Sequence, residues 1–372
     1  MGVARDKTMQ QRIPQLDAVR GLAILLVIVH NASEKYPSLH LQQLFGHGWM
    51  GVDLFFVLSG FLITGILVDT KQSEGYFKHF YARRCLRIWP LYYSLIFFMF
   101  VVVPFMRPSQ AHTVFEQSSP WWAYPLFLQN FLIPPTMGAG PLSVTWSLAI
   151  EEQFYLVWPW VVRYCSSAQL GRIAVAVICF SPLLRFYLSH HHVYLYSNVF
   201  CRLDGLMAGA LLAFAVRSEN FLPSKFIKRA WISLFLAPLL VVVTETIDAG
   251  WLVFSLSAVA STSFVYLSLF STHRWLHAAM RNKFIVYTGT ISYGLYLLHK
   301  IPIDMVHTFG LDRHPFLMLP IAVVAAYAIA ALSWNLLERP FLRLKRFFES
   351  KPVGLDCGNS QLGGGSKVNA AA

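Results

Sequence analysis

Charge is what this 372-residue chain has least of. Asp, Glu, Lys and Arg make up 13% of it, against about 25% in soluble domains. Hydrophobic residues make up 56%, and mean hydropathy is +0.51. Apolar runs recur along the whole length, which excludes both a soluble domain and a soluble domain with one anchor. Cysteine is scarce as well. The five present (Cys85, Cys165, Cys179, Cys201, Cys357) show no CxxC spacing, so neither a metal centre nor a disulfide framework is expected. No small-residue cleavage site follows the first apolar run, which therefore reads as a retained helix. The internal repeat that marks many transporters is also missing.

What is present reads as an all-α, polytopic integral membrane protein. Runs long enough to cross a bilayer, about 20 residues each, place ten spans near 16–33, 49–68, 88–106, 144–162, 172–189, 199–216, 230–244, 250–270, 284–300 and 316–336. Of the 30 Lys and Arg, 24 fall in alternate segments beginning with the N-terminus, and five (Lys35, Arg107, Arg185, Lys300, Arg313) fall in the opposite loops. Arg202 lies inside a span. By the positive-inside rule both termini are cytoplasmic. The net charge of +12 is thus a topology signal, and no nucleic-acid partner is expected. Three regions follow: a cytoplasmic segment 1–15, a transmembrane domain 16–348 and a disordered Gly-rich tail 349–372. The long outer segment 104–143 is expected to hold an interfacial or re-entrant piece at 121–133.

An ionisable residue inside a span is expensive, and by default it marks function. These residues sort by side. His30, Asp53, Glu151, Glu152, Arg202, Asp204 and His299 fall toward the outer ends. Arg20 and the cluster Arg83, Arg84 and Arg87 fall toward the inner ends. Arg84 and Arg87 are three apart and share a helix face, which suits one multi-anionic group. A histidine beside a carboxylate suits a general base. Each element also has a bland reading. The arginines suit lipid headgroups, a lone histidine suits an interhelical hydrogen bond, and Arg202 with Asp204 suits a structural ion pair. His190 to His192 read as an exposed loop, and Tyr293 and Tyr296 as packing.

Seven motifs in order then give a resemblance. They are Leu16-Asp-Ala-Val-Arg20, Gly51-Val-Asp-Leu-Phe-Phe-Val-Leu-Ser-Gly60, Tyr81-Ala-Arg-Arg-Cys-Leu-Arg87, Trp146-Ser-Leu-Ala-Ile-Glu-Glu152, Arg202-Leu-Asp-Gly205, Ile291-Ser-Tyr-Gly-Leu-Tyr-Leu-Leu-His299 and Glu338-Arg-Pro340. The chain resembles the membrane acyltransferase-3 family, the integral-membrane O-acyltransferases of cell-surface glycans. The resemblance implies transfer of an acyl group, usually acetyl, from cytoplasmic acyl-coenzyme A to a hydroxyl of an outer glycan or glycolipid, in a bacterial plasma membrane. No metal is implied, and membrane lipid surrounds the protein. The family's functional Arg and His map to Arg20 and His30, its Arg-x-x-Arg to Arg84 and Arg87 with Arg83 adjoining, and its carboxylate to Glu151 or Glu152, between which the resemblance does not choose.

One spacing departs from the family. Nine residues separate Arg20 from His30, where the family has ten. At about 100° per residue the two side chains sit ~80° apart in azimuth rather than ~20°. Either the arginine's length bridges that gap or the helix is locally irregular. The expected mechanism has Arg84 and Arg87, with Arg83 or Arg20, holding the donor's phosphates. His30, oriented by Asp53, Glu151 or Glu152, deprotonates the acceptor for direct transfer; a two-step route through an acyl-enzyme is equally permitted. A membrane unit without a fused hydrolase-like domain is expected to finish its own reaction or to hand the acyl group to a partner. The competing classes are a transporter or channel, and an inactive scaffold. The sequence leaves the oligomeric state open.

Overall fold

The computed structural model describes residues 13–35, 45–132, 140–191, 195–308 and 315–348. The expected Gly-rich tail, and part of the outer segment at 133–139, lie outside these residues. Everything regular in the described residues is helical, as hydrocarbon demands of a backbone that must satisfy its own polar groups.

Helix α1 spans Pro14–Lys35. A 3-10 turn, Gly46–Trp49, leads into α2, Met50–Asp69. Helix α3, Tyr76–Phe97, runs on through a π turn to Met106, and α4, Pro108–Glu116, follows outside. Then come α5 (Thr145–Tyr164), α6 (Ser167–His190), α7 (Val199–Arg217), α8 (Ser224–Thr246), α9 (Val253–Phe270) and the short α10 (Arg274–Ala279). The ninth expected span is broken into α11 (Lys283–Thr290), α12 (Ser292–Leu298) and α13 (Lys300–Thr308), with joints at Ile291 and His299. Helix α14, Pro315–Ser333, continues through a π turn into α15, Arg339–Arg343, and a 3-10 turn, Leu344–Phe348.

Eight helices among the described residues are long and apolar enough to cross a membrane. The two expected spans that fall short are α5, which carries Glu151, Glu152 and Arg163, and the broken α11–α13. Interrupted or charged helices at membrane depth are tolerated where they line a protein cavity, and these two do so. The segment expected to be interfacial or re-entrant is short of regular structure. Residues after the turn Trp121–Ala123 pack inward without regular structure: buried Gln129 donates to Thr145 O at 3.0 Å, and Asn130 donates to Ser197 O at 3.2 Å.

Two glycine contacts set the helix spacing. A Cβ on Gly60 of α2 would lie 1.9 Å from Leu206 O, and one on Gly209 of α7 would lie 2.0 Å from Val57 O. Helices α1 and α11 touch as closely, because a Cβ on Gly289 would lie 1.7 Å from Asp17 O. Such backbone approach replaces the hydrophobic drive that lipid does not supply.

At the end of the bundle where α2 and α7 begin, two ion pairs bind the helices. Arg202 Nη2 donates to Asp53 Oδ1 at 2.6 Å, and Arg185 Nη2 donates to Asp204 Oδ2 at 2.9 Å. All four side chains are buried. Ser255 Oγ donates to the same Asp204 oxygen at 2.7 Å, and the Arg202 guanidinium lies 3.8 Å from the centre of the Phe254 ring. The expected Arg202–Asp204 pair is therefore corrected. Residues two apart point to opposite sides of a helix, so each takes a partner from another helix. Arg185 is likewise buried in α6 rather than placed in a loop.

Removing one member of a buried pair leaves an uncompensated charge, at a cost of about 3–5 kcal/mol. Asp53→Ala is thus expected to lower the thermal midpoint of the detergent-solubilised protein sharply. The apolar double variant D53L/R202M is expected to recover most of the loss, as read by the unfolding transition.

Candidate active site

Between α1, α2, α3, α5 and α12 the bundle holds a cavity of about 170 Å³ that runs from Arg20 and Arg87 to Val52 and Ser147. Its walls bring together residues far apart in sequence: Arg20 from α1, Ser59 from α2, Arg84 and Arg87 from α3, Glu151 and Tyr155 from α5. Tyr293 and Tyr296 reach it from α12. The helix periods explain the convergence. Arg84 and Arg87 share one face of α3, and Glu151 and Tyr155 share one face of α5 at i,i+4.

Glu151 is the anchored carboxylate. Ser59 Oγ donates to its Oε1 at 2.7 Å, and Tyr155 OH donates to its Oε2 at 3.1 Å. The Arg84 guanidinium carbon stands 5.5 Å from the centre of the Tyr155 ring and 5.7 Å from that of Phe80, a spacing that suits cation–π attraction. Arg20 Nη1 pairs with Asp17 Oδ1 at 3.0 Å and is only partly exposed. The cavity thus has cations at the inner end and a carboxylate–hydroxyl pair further up.

The other expected residues sit elsewhere. Glu152, about 100° round from its neighbour, is not in the cavity wall, but Glu151 and Arg84 of that wall are its electrostatic neighbours. Arg83 lies outside the wall too, its Nε donating to His79 O at 3.0 Å. Asp53 is engaged by Arg202. His30 does not line the cavity: it packs at the outer end of α1 against the 3-10 turn, where a Cβ on Gly48 would lie 2.9 Å from His30 Cβ. Its ionic neighbour is Glu34, Nε2 to Oε1 at 3.4 Å, rather than Asp53, Glu151 or Glu152. Since α1 is helical throughout Pro14–Lys35, no local irregularity absorbs the short Arg20–His30 spacing. The two stand about 15 Å apart along the axis and serve different places.

Some site residues escaped the sequence reading. Tyr293 and Tyr296, expected to be packing, line the cavity. Tyr293 OH donates to Ile88 O at 2.7 Å, and Tyr296 OH donates to Val144 O at 3.0 Å. Ser59 carries no charge to draw notice; its signal was a polar residue midway along a helix otherwise closely apolar. Lys345, beyond the last span, folds back against α3, where its electrostatic neighbours are Arg87, Arg84, Arg83 and Arg20. Glu34 was visible only as the fourth residue after His30. His299 is buried at the joint between α12 and α13, its Nδ1 within 3.0 Å of Leu295 O and 2.9 Å of Tyr296 O. His190 and His191 end α6 in exposed positions, and His192 lies outside the described residues. No group of three or more His, Cys, Asp or Glu able to hold a metal occurs among the described residues.

The chain is similar to bacterial proteins of known naming. A Staphylococcus aureus (strain COL) protein named "Putative O-acetyltransferase" is 28% identical over 372 residues, covering 91% of this chain and 59% of that protein. A Bacillus subtilis (strain 168) protein named "Putative peptidoglycan O-acetyltransferase YrhL" is 29% identical over 367 residues, covering 90% of this chain and 56% of that protein. The "Peptidoglycan O-acetyltransferase OatA" of Listeria monocytogenes is 35% identical over 159 residues, 40% of this chain and 24% of that protein. The chain therefore spans less than two thirds of the length of the curated relatives it matches. No solved structure matches it. The family described as "Acyltransferase domain" matches residues 13–335. With eight apolar helices, and with that match over nearly its whole length, the chain is an integral membrane protein of the bacterial plasma membrane and belongs to the acyltransferase-3 family.

Proposed function

We propose that the protein is a membrane O-acyltransferase that moves an acyl group, acetyl in the simplest case, from cytoplasmic acyl-coenzyme A to a hydroxyl of an extracytoplasmic glycan. The naming of its relatives supports peptidoglycan as the acceptor class. The observation that carries this reading is the convergence of Arg20, Arg84, Arg87 and Glu151 on one cavity. A water-soluble donor with several phosphates and a long thioester arm matches such a site, charged at its mouth and apolar along its walls.

In this reading ten segments of the unit 16–348 cross the membrane, and both termini are cytoplasmic. Arg84 and Arg87 hold the donor's phosphates, assisted by Arg20 and by Lys345 at the mouth. The pantetheine arm runs inward past Ile66 and Ile63, bringing the thioester to the level of Ser59 and Glu151. At the outer end His30, paired with Glu34, takes the proton of the acceptor hydroxyl. A base within hydrogen-bond reach contributes about 10²–10⁴-fold to such a step. Arg83 and Glu152 support the site from outside the wall, and Asp53 acts through the Arg202 pair.

Inverted vesicles given acyl-labelled acetyl-coenzyme A are expected to pass label into a glycan or glycolipid fraction. His30→Ala is expected to abolish that transfer at unchanged protein level; normal transfer by the variant would remove His30 from the role of base. Hydrogen bonds to charged groups are worth about 1.5–3 kcal/mol. Arg84→Ala and Arg87→Ala should therefore each raise the KM for donor by roughly 10–100-fold, with a smaller rise for Lys345→Ala. An unchanged KM in all three would place the donor elsewhere.

A further inference from the structure

Ser255 and Ser59 both donate across helices to a carboxylate, but the carboxylate that Ser255 meets is already held by Arg185, whereas the one that Ser59 meets faces the cavity. A serine or threonine in an apolar helix ordinarily returns its proton to its own helix, four residues back. Thr70, Ser94, Thr262 and Ser268 do this, bonding to Ile66 O, Pro90 O, Ala258 O and Phe264 O at 2.7 Å each. Ser59 crosses to another helix instead and donates to the Glu151 carboxylate at 2.7 Å, inside the cavity and above the three arginines. An alkyl hydroxyl becomes a nucleophile when a fixed base stands within hydrogen-bond reach, and Tyr155 fixes this base from its second oxygen.

The depth of the pair gives it a task. Ser59 is the tenth of the twenty residues of α2, so it stands near the middle of the span. Arg20 and His30 are about 15 Å apart along α1, with His30 outside the cavity wall. A thioester whose phosphates rest on Arg84 and Arg87 therefore meets Ser59 before it can meet the outer histidine. Ser147, another serine of the wall, shares its hydroxyl with Tyr296 OH at 2.5 Å, and no carboxylate is bonded to it.

We propose that Ser59 is a covalent acyl carrier, with Glu151 as its base, that takes the acyl group from the donor thioester and passes it toward the outer acceptor. This rests on the acyltransferase reading above and replaces its direct step with two. In the first, the bond from Ser59 Oγ to the acyl carbon forms and the carbon–sulfur bond breaks. The Oγ proton passes to Glu151 and then to the leaving thiolate, which departs as free thiol. In the second, the acceptor oxygen bonds to the acyl carbon and the ester bond to Oγ breaks. The acceptor's proton is taken by His30 and released to water, while the leaving Oγ takes a proton from water; the two transfers cancel, so Ser59 and His30 end as they began.

The test uses the full chain in lipid nanodiscs with acyl-labelled acetyl-coenzyme A and no acceptor, quenched in acid and mapped by peptide mass spectrometry. The same preparations are assayed for transfer in vesicles. Label is expected on the Ser59 peptide of the wild type and is expected to be lost in Ser59→Ala. Ser59→Cys, which keeps the size of the side chain, should carry the label as a thioester labile to neutral hydroxylamine. Glu151→Gln should remove label from Ser59, whereas S59C/E151Q should retain it, because a thiol needs less help from a base. Wild-type transfer with no labelled peptide and undiminished transfer by Ser59→Ala would overturn the carrier and leave the acyltransferase reading standing. Label on Tyr155 or His30 would overturn the assignment to Ser59. A wild type that neither transfers nor binds acetyl-coenzyme A would overturn both readings together.

Discussion

A charge held within hydrocarbon must be met by an opposite charge, or it must face a cavity that admits water and ligand. This chain uses both solutions, at different depths. In the outer half, Arg202 meets Asp53 and Arg185 meets Asp204, each wholly buried. Elsewhere in the bundle, Arg84 and Arg87 line the cavity. The paired charges tie α2, α6, α7 and α9 into a frame, and the cavity charges are left for a ligand.

The frame explains why the site lies where it does. Helix α2 belongs to both halves: Asp53, near its outer end, joins the ion-pair layer, and Ser59, midway along it, faces the cavity. Glycine contacts hold α2 to α7 and α1 to α11 at backbone distance, which leaves little freedom for the cavity wall to shift. The broken helix α11–α13 is the counterpart on the other wall. Its joints at Ile291 and His299 set off a seven-residue piece that presents Tyr293 and Tyr296 to the cavity.

The architecture was largely legible in the sequence. Hydrophobic runs of spanning length mark the helices, and Arg84-x-x-Arg87 with the Trp146-to-Glu152 motif points to residues that the fold does bring together. What sequence could not give was pairing. Arg202 and Asp204 are neighbours in the chain and not in space, since a two-residue step reverses the helix face. Asp53 was read as a possible partner for His30 because both lie toward the outer side; membrane level alone does not say which helices touch. Glu34 and Ser59 were passed over for opposite reasons. Glu34 sits at an exposed helix end where carboxylates are common, and Ser59 is uncharged in a run of apolar residues.

The account stands or falls on whether the inner cavity is the donor site. A cryo-electron microscopy structure in nanodiscs with a non-reactive thioether analogue of acetyl-coenzyme A addresses this most directly. The account predicts phosphate density against Arg84 and Arg87 and the sulfur-bearing end of the arm beside Ser59 and Glu151. Analogue density bound at another surface, with the cavity empty at saturating analogue, would contradict it.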